Sequence, residues 1–228
     1  MTLVAGTGAG TRVSTGQLGL VRARHPGSMT QDTVRPTKAA AWMLLLLAGL
    51  WVLELLDQLS GNALDAYGIR ARELDGLPEI FTAPLLHAGW QHLISNTVPF
   101  FVLGFLVLLS GVVRWVVSSL TSVVSSGLFA WLLTPADTIV LGASGLVFGW
   151  LTYLIVRGLW SRRPGQVLVG VLVLMVYGGL IWGVLPGAAG ISWQAHLGGA
   201  VGGVLAAWAL HRRGARTAVA RTAYPAGW

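Results

Sequence analysis

The chain has no cysteine, and only 10% of its 228 residues are charged. The first absence removes disulfides, thiol nucleophiles and thiolate metal sites from consideration. The second is decisive for class. A soluble domain of this size covers its surface with charged side chains, and 15 basic plus 8 acidic residues cannot do so against 54% hydrophobic composition and a mean hydropathy of +0.70. The chain therefore reads as an integral membrane protein, and disordered and collagen-like classes fall to the same arithmetic. Its formal charge of +7 does not point to nucleic acid, because the basic residues sit in short clusters between long apolar runs rather than along an aqueous face.

A helix needs about 20 mostly apolar residues to cross a hydrocarbon core of about 30 Å. Six segments meet that length: 39–57, 90–110, 113–133, 142–160, 166–185 and 192–210. The expected fold is all-α, a polytopic six-helix bundle spanning 39–211, with a flexible tail over 1–38 and a second tail over 212–228. The first tail carries no apolar stretch with a cleavage site, and Met29, just ahead of a more ordinary lead-in, is expected to be the biological start. Lys and Arg divide unevenly between alternate connections. Thirteen of the 15 fall on one side, and only Arg70 and Arg72 on the other. Both termini are thus expected in the cytoplasm, with a long acidic loop over 60–86 outside.

Polar side chains are costly in lipid, so each one within a span is a functional candidate. The short set is His87, His92 and Asn96 at the start of the second span, Ser144 at the start of the fourth and His196 at the start of the sixth. These three spans run in the same direction, which places the group at one depth near the outer surface. His92 and Asn96, four residues apart, share a helical face. Ser144 lies in GASG, where small neighbours leave backbone N–H groups accessible. Gly145 and Gly149 on the fourth span, and Gly199 and Gly203 beside Gly198 and Gly202 on the sixth, have the small-xxx-small spacing of closely packed helices. Close approach of those faces brings the Ser144 hydroxyl and the His196 imidazole within hydrogen-bond reach, as a serine nucleophile and its base require. Each element also has a plainer reading: a membrane serine usually bonds its own i−4 carbonyl, an interfacial histidine snorkels, and glycine repeats simply pack. Their coincidence at one depth on three parallel spans is what those readings leave unexplained.

At these residues the sequence resembles the rhomboid intramembrane serine proteases. HAGWQHLISN carries His87, His92 and Asn96 at the H-x4-H-x3-N spacing of that family; GASG carries Ser144; AHLGGAVGG carries His196, Gly199 and Gly203; and FTAPLLH precedes the second span. The resemblance covers about 39–211. It implies a serine endopeptidase with a Ser144–His196 dyad, an oxyanion site formed by His92, Asn96 and the Ser144 N–H, a turn at Gly142, a supporting His87, and Phe148 stacked on His196 where the family often has tyrosine. It implies no metal and no cofactor. Substrates would be single-span or polytopic membrane proteins entering sideways from the bilayer between the fifth and second spans, with 186–191 as a cap. The protein would sit in the cytoplasmic membrane with its site opening outward. The oligomeric state is open. One departure is the Trp-Arg pair often found before the FT element, which reads Pro78 and Glu79 here and puts that loop's lipid contacts in question. Competing readings are a rhomboid-like protein that binds transmembrane helices without cutting them, a metal enzyme using His87, His92 and His196, and a small transporter. Internal repeats and charged intramembrane relays, expected of a transporter, are missing from the sequence.

Overall fold

The computed structural model describes residues 33–187 and 190–223, with side chains described through Arg212. Met29, most of the N-terminal tail and the tip of the 186–191 loop lie outside the described residues. The described residues form six α-helices: α1 (Pro36–Leu59), α2 (Trp90–Leu108), α3 (Val112–Leu133), α4 (Ser144–Ser161), α5 (Pro164–Tyr177) and α6 (Trp193–Ala223). Several boundaries differ from the sequence expectation; the fifth span, expected over 166–185, is α-helical only to Tyr177 and continues as a 3-10 helix over Gly178–Val184. Helix α1 begins at Pro36 rather than 39, because proline fits the first helical turn, where its missing N–H costs nothing; α6 runs on to Ala223, past the boundary at 211.

The helices sort by what surrounds them. Helices α1, α2, α3 and the stretch Pro164–Val184 are long and apolar enough to cross a membrane, and they present exposed Leu45, Leu56, Leu120, Met175, Val176 and Trp182 outward. Helix α4 is the core. Trp150, Leu151, Tyr153 and Leu154 are fully buried on it, and it packs against α2, α3, α5 and, most extensively, α6. A helix face packed on protein has no need of apolar side chains, and the packed faces of α4 and α6 carry glycine, threonine and histidine, while Val204, Leu205 and Trp208 of α6 stay exposed.

Glycine decides how close those inner helices come. A Cβ on Gly199 would collide with the Gly145 carbonyl, and one on Gly203 with the Gly149 carbonyl. The second glycine pair of α6 faces elsewhere: Gly198 and Gly202 lie against the α3 backbone at Ser125 and Thr121. Helix α6 thus has one glycine face for each neighbour. Its position is fixed further by Ser126, whose hydroxyl donates to the Ala195 carbonyl at 2.8 Å, and by Thr152, whose hydroxyl donates to the Ala200 carbonyl at 2.9 Å.

A short β-ladder adds to the helices. Strands β1 (Ile69–Arg70) and β2 (Ile139–Val140) pair antiparallel, Ile69 opposite Val140. Two residues per strand carry no periodicity to detect. The pairing ties the 60–89 loop to the segment entering α4. Within that loop Arg70 bonds Glu79 at 3.0 Å and lies near Asp75 and Glu73, so Glu79, which departs from the Trp-Arg pattern, is the partner of an arginine nine positions earlier in the same loop. Leu74 and Phe81 of this loop remain exposed.

Candidate active site

The site starts from a backbone problem. Between β2 and α4 the chain must turn into the helix with no room for a side chain. Gly142 does this at φ +127°, and a Cβ there would strike the His92 ring. Its N–H donates to the Ala83 carbonyl at 2.8 Å. Ala143 caps α4, and Ser144 is the first helical residue. Its N–H precedes the first intrahelical acceptor and points out of the helix end, where the macrodipole also favours negative charge.

His196 reaches this point from the first turn of α6. Its Nε2 lies 2.8 Å from the Ser144 hydroxyl oxygen, and its Nδ1 lies 2.9 Å from the Gly183 carbonyl oxygen. A carbonyl only accepts, so Nδ1 carries the hydrogen. Nε2 is then the lone-pair nitrogen and accepts the serine O–H. Phe148, one turn along α4 from Ser144, stacks on the imidazole with centroids 4.1 Å apart and planes 11° apart. The ring is thereby held on one face and at both nitrogens. Among the described residues no carboxylate takes part. The Gly183 carbonyl occupies the position where a triad would place one, and nothing in the sequence signals it, since every residue has a carbonyl.

His92 and Asn96 line the same cavity of about 750 Å³ as Ser144, Phe148, Gly183 and His196. The Ala88 N–H donates to His92 Nδ1 at 3.4 Å, which leaves the His92 Nε2–H as a donor beside Gly142. Asn96 is buried and donates through Nδ2 to the His92 carbonyl at 3.0 Å; the second hydrogen of that amide is uncommitted by this bond. His87 stands behind the group. It is 2% exposed, its Nε2 accepts the Ala143 N–H at 3.5 Å, and it meets His92 edge-on at 5.2 Å. Burial, helped by neighbouring His92, pushes its pKa down to about 4, so it is neutral and acts on the turn before Ser144. Among the described residues no three His, Asp or Glu side chains are grouped closely enough to hold a metal ion; His87, His92 and His196 do not form such a set.

Comparison with known sequences identifies the family. The Rhomboid domain matches residues 75–213. An uncharacterized protein of Mycobacterium tuberculosis (strain ATCC 25618 / H37Rv) is 42% identical over 219 residues, 90% of each chain. Another uncharacterized protein, of Mycobacterium leprae, is 42% identical over 195 residues, 81% of this chain and 76% of the relative. Rhomboid-like protein 11, chloroplastic, of Arabidopsis thaliana is 29% identical over 204 residues, 80% of this chain and 70% of the relative. The domain match spans more than half of the chain and takes in every residue of the cavity named above, so this helical membrane protein belongs to the rhomboid family.

Proposed function

We propose that the chain is an intramembrane serine endopeptidase that hydrolyses peptide bonds of membrane proteins through Ser144 and His196. The observation that carries this reading is the 2.8 Å contact between the Ser144 hydroxyl and His196 Nε2, at a helix N-terminus within a cavity. As Ser144 Oγ attacks the scissile carbonyl, His196 Nε2 takes the hydroxyl proton while its Nδ1–H stays on the Gly183 carbonyl. The tetrahedral oxyanion is stabilised by the Ser144 N–H, the His92 Nε2–H and an Asn96 amide hydrogen. Collapse expels the amine, which receives the proton from His196, and water then cleaves the acyl-enzyme by the same steps in reverse order. A neutral carbonyl orients the imidazole but stabilises the imidazolium less than a carboxylate does, so the oxyanion donors carry much of the barrier reduction.

The six helices cross the cytoplasmic membrane six times in this reading, with both termini inside, because 13 of the 15 basic residues fall in the connections of one side. Substrate enters from the lipid between α2 and the stretch after α5. Support comes from the cavity wall, to which Asn96 and Pro99 of α2 and Gly179 and Leu180 of that stretch all contribute, and from the same stretch being a 3-10 helix, held less firmly than an α-helix. Regular helix hides its carbonyls, so cleavage falls where the substrate helix is broken by Gly or Pro near its outer end.

A fluorophosphonate probe tests the nucleophile. Full-length protein is expected to be labelled at Ser144, with labelling lost in Ser144→Ala and slowed by orders of magnitude in His196→Ala. Labelling of neither wild type nor variants, in protein that remains folded, favours a rhomboid-like protein that binds helices without cutting them.

A further inference from the structure

The end of the bundle opposite Ser144 holds a second polar centre that the proposed chemistry does not use. Arg157 of α4 lies 13 residues beyond Ser144, about 20 Å along the helix axis. It is 5% exposed. One of its terminal nitrogens donates to the Ser110 hydroxyl, and Arg114 donates to the Ser110 carbonyl, so two guanidinium groups converge on one residue. His211, whose Nε2 lies 3.1 Å from the Tyr153 hydroxyl, has Arg114, Arg157 and Arg163 as its charged neighbours.

Such a cluster normally contains its counter-charge. Here it does not. Of the eight acidic residues, Asp32 lies outside the described residues; Glu54 and Asp57 stand at the far end of α1, and Asp65, Glu73, Asp75, Glu79 and Asp137 in loops at the Ser144 end. One of the cluster's donors is also unused: Arg157 Nε is buried without an acceptor. Between Ser110 and Arg114 the chain turns at Gly111, φ +120°, into the N-terminus of the 22-residue α3, whose first N–H groups and dipole favour an anion in the same place.

We infer that this centre binds one phosphate group, carried by an anionic lipid headgroup of the adjoining leaflet or by a soluble phosphate. Arg157 supplies the buried fork, half-buried Arg114 faces the approach, and the first turn of α3 supplies backbone donors. Two arginines and a helix terminus match the oxygens of a phosphate better than they match a single carboxylate. The bound anion neutralises the repulsion between Arg114 and Arg157 and so ties α2, α3, α4 and α6 together at the end remote from the site.

Native mass spectrometry of delipidated full-length protein tests this with three probes: phosphatidylglycerol, phosphatidylcholine and inorganic phosphate. One phosphatidylglycerol is expected to remain bound at concentrations where phosphatidylcholine does not, and binding is expected to weaken about tenfold or more in Arg157→Gln and in Arg114→Gln, but not in Lys38→Gln, an exposed charge on α1. Arg114→Gln keeps the test valid if Arg157→Gln fails to fold, which its elution profile reports. Retention of inorganic phosphate without preference for the lipid, lost in the same two variants, supports the site and assigns it a soluble anion. Binding of all three probes unchanged by both arginine substitutions, or no binding, overturns the proposal.

Discussion

Gly142 shows how narrowly single residues constrain this site. It takes a φ of +127° and leaves no space beside the His92 ring. Gly142→Ala therefore meets both backbone strain and a collision, and its expected effect is a loss of cleavage far larger than its loss of stability, measured by kcat/KM and thermal unfolding on the same preparation. In the proposed reaction His92→Ala and Asn96→Ala each remove one oxyanion donor, and each is expected to lower kcat by about 10²–10³ with little change in KM. His87 gives a pH signature. Its pKa of about 4 in the folded protein lies below the unfolded value near 6.5. Between those values the unfolded chain holds the extra proton, so stability rises with pH; this contribution is complete above about pH 6.5 and is lost as pH falls through 4. Acid unfolding of His87→Asn should be correspondingly flatter over that window. The side chains themselves were legible in the sequence, because polar residues in apolar spans stand out. The Gly183 carbonyl was not, because a backbone acceptor is specified by where the chain passes and not by which residue is there.

At the level of elements, the approach of α4 and α6 rests on glycine. Gly199→Ala and Gly203→Ala push Cβ into backbone carbonyls that cannot rotate away, and each is expected to cost about 1–3 kcal/mol, read as a fall in unfolding temperature. Gly149→Ala has a different neighbour, the Ser122 side chain of α3. The double variant Gly149→Ala with Ser122→Gly should recover part of the stability lost by Gly149→Ala alone, a non-additivity that the double-mutant cycle measures directly. The small-xxx-small spacing made the contact between these helices readable in advance. It did not distinguish the α4-facing pair Gly199 and Gly203 from the α3-facing pair Gly198 and Gly202, since both have the same spacing. The β1–β2 pairing and the 3-10 stretch Gly178–Val184 were hidden for another reason. Both are set by tertiary packing over a few residues, too short for any periodic signal.

For the whole molecule, orientation is the accessible quantity. The chain contains no cysteine, so a single introduced thiol reports alone. Asp75→Cys, in the 60–89 loop, is expected to react with an impermeant maleimide added outside intact cells, and Arg162→Cys, between α4 and α5, only after the membrane is opened; the reverse pattern contradicts the assigned topology. Length and apolar composition were enough to read six helical segments of a membrane bundle; among the described residues α1, α2, α3 and Pro164–Val184 are long and apolar enough to cross a membrane, while α4 and α6 hold Ser144 and His196, on which the proposed chemistry rests. The most direct test of that chemistry is cleavage of a tagged single-span reporter, with a Gly or Pro near the outer end of its helix, co-reconstituted with the purified protein. The account predicts cleavage by wild type and none by Ser144→Ala or His196→Ala; equal cleavage by all three would contradict it.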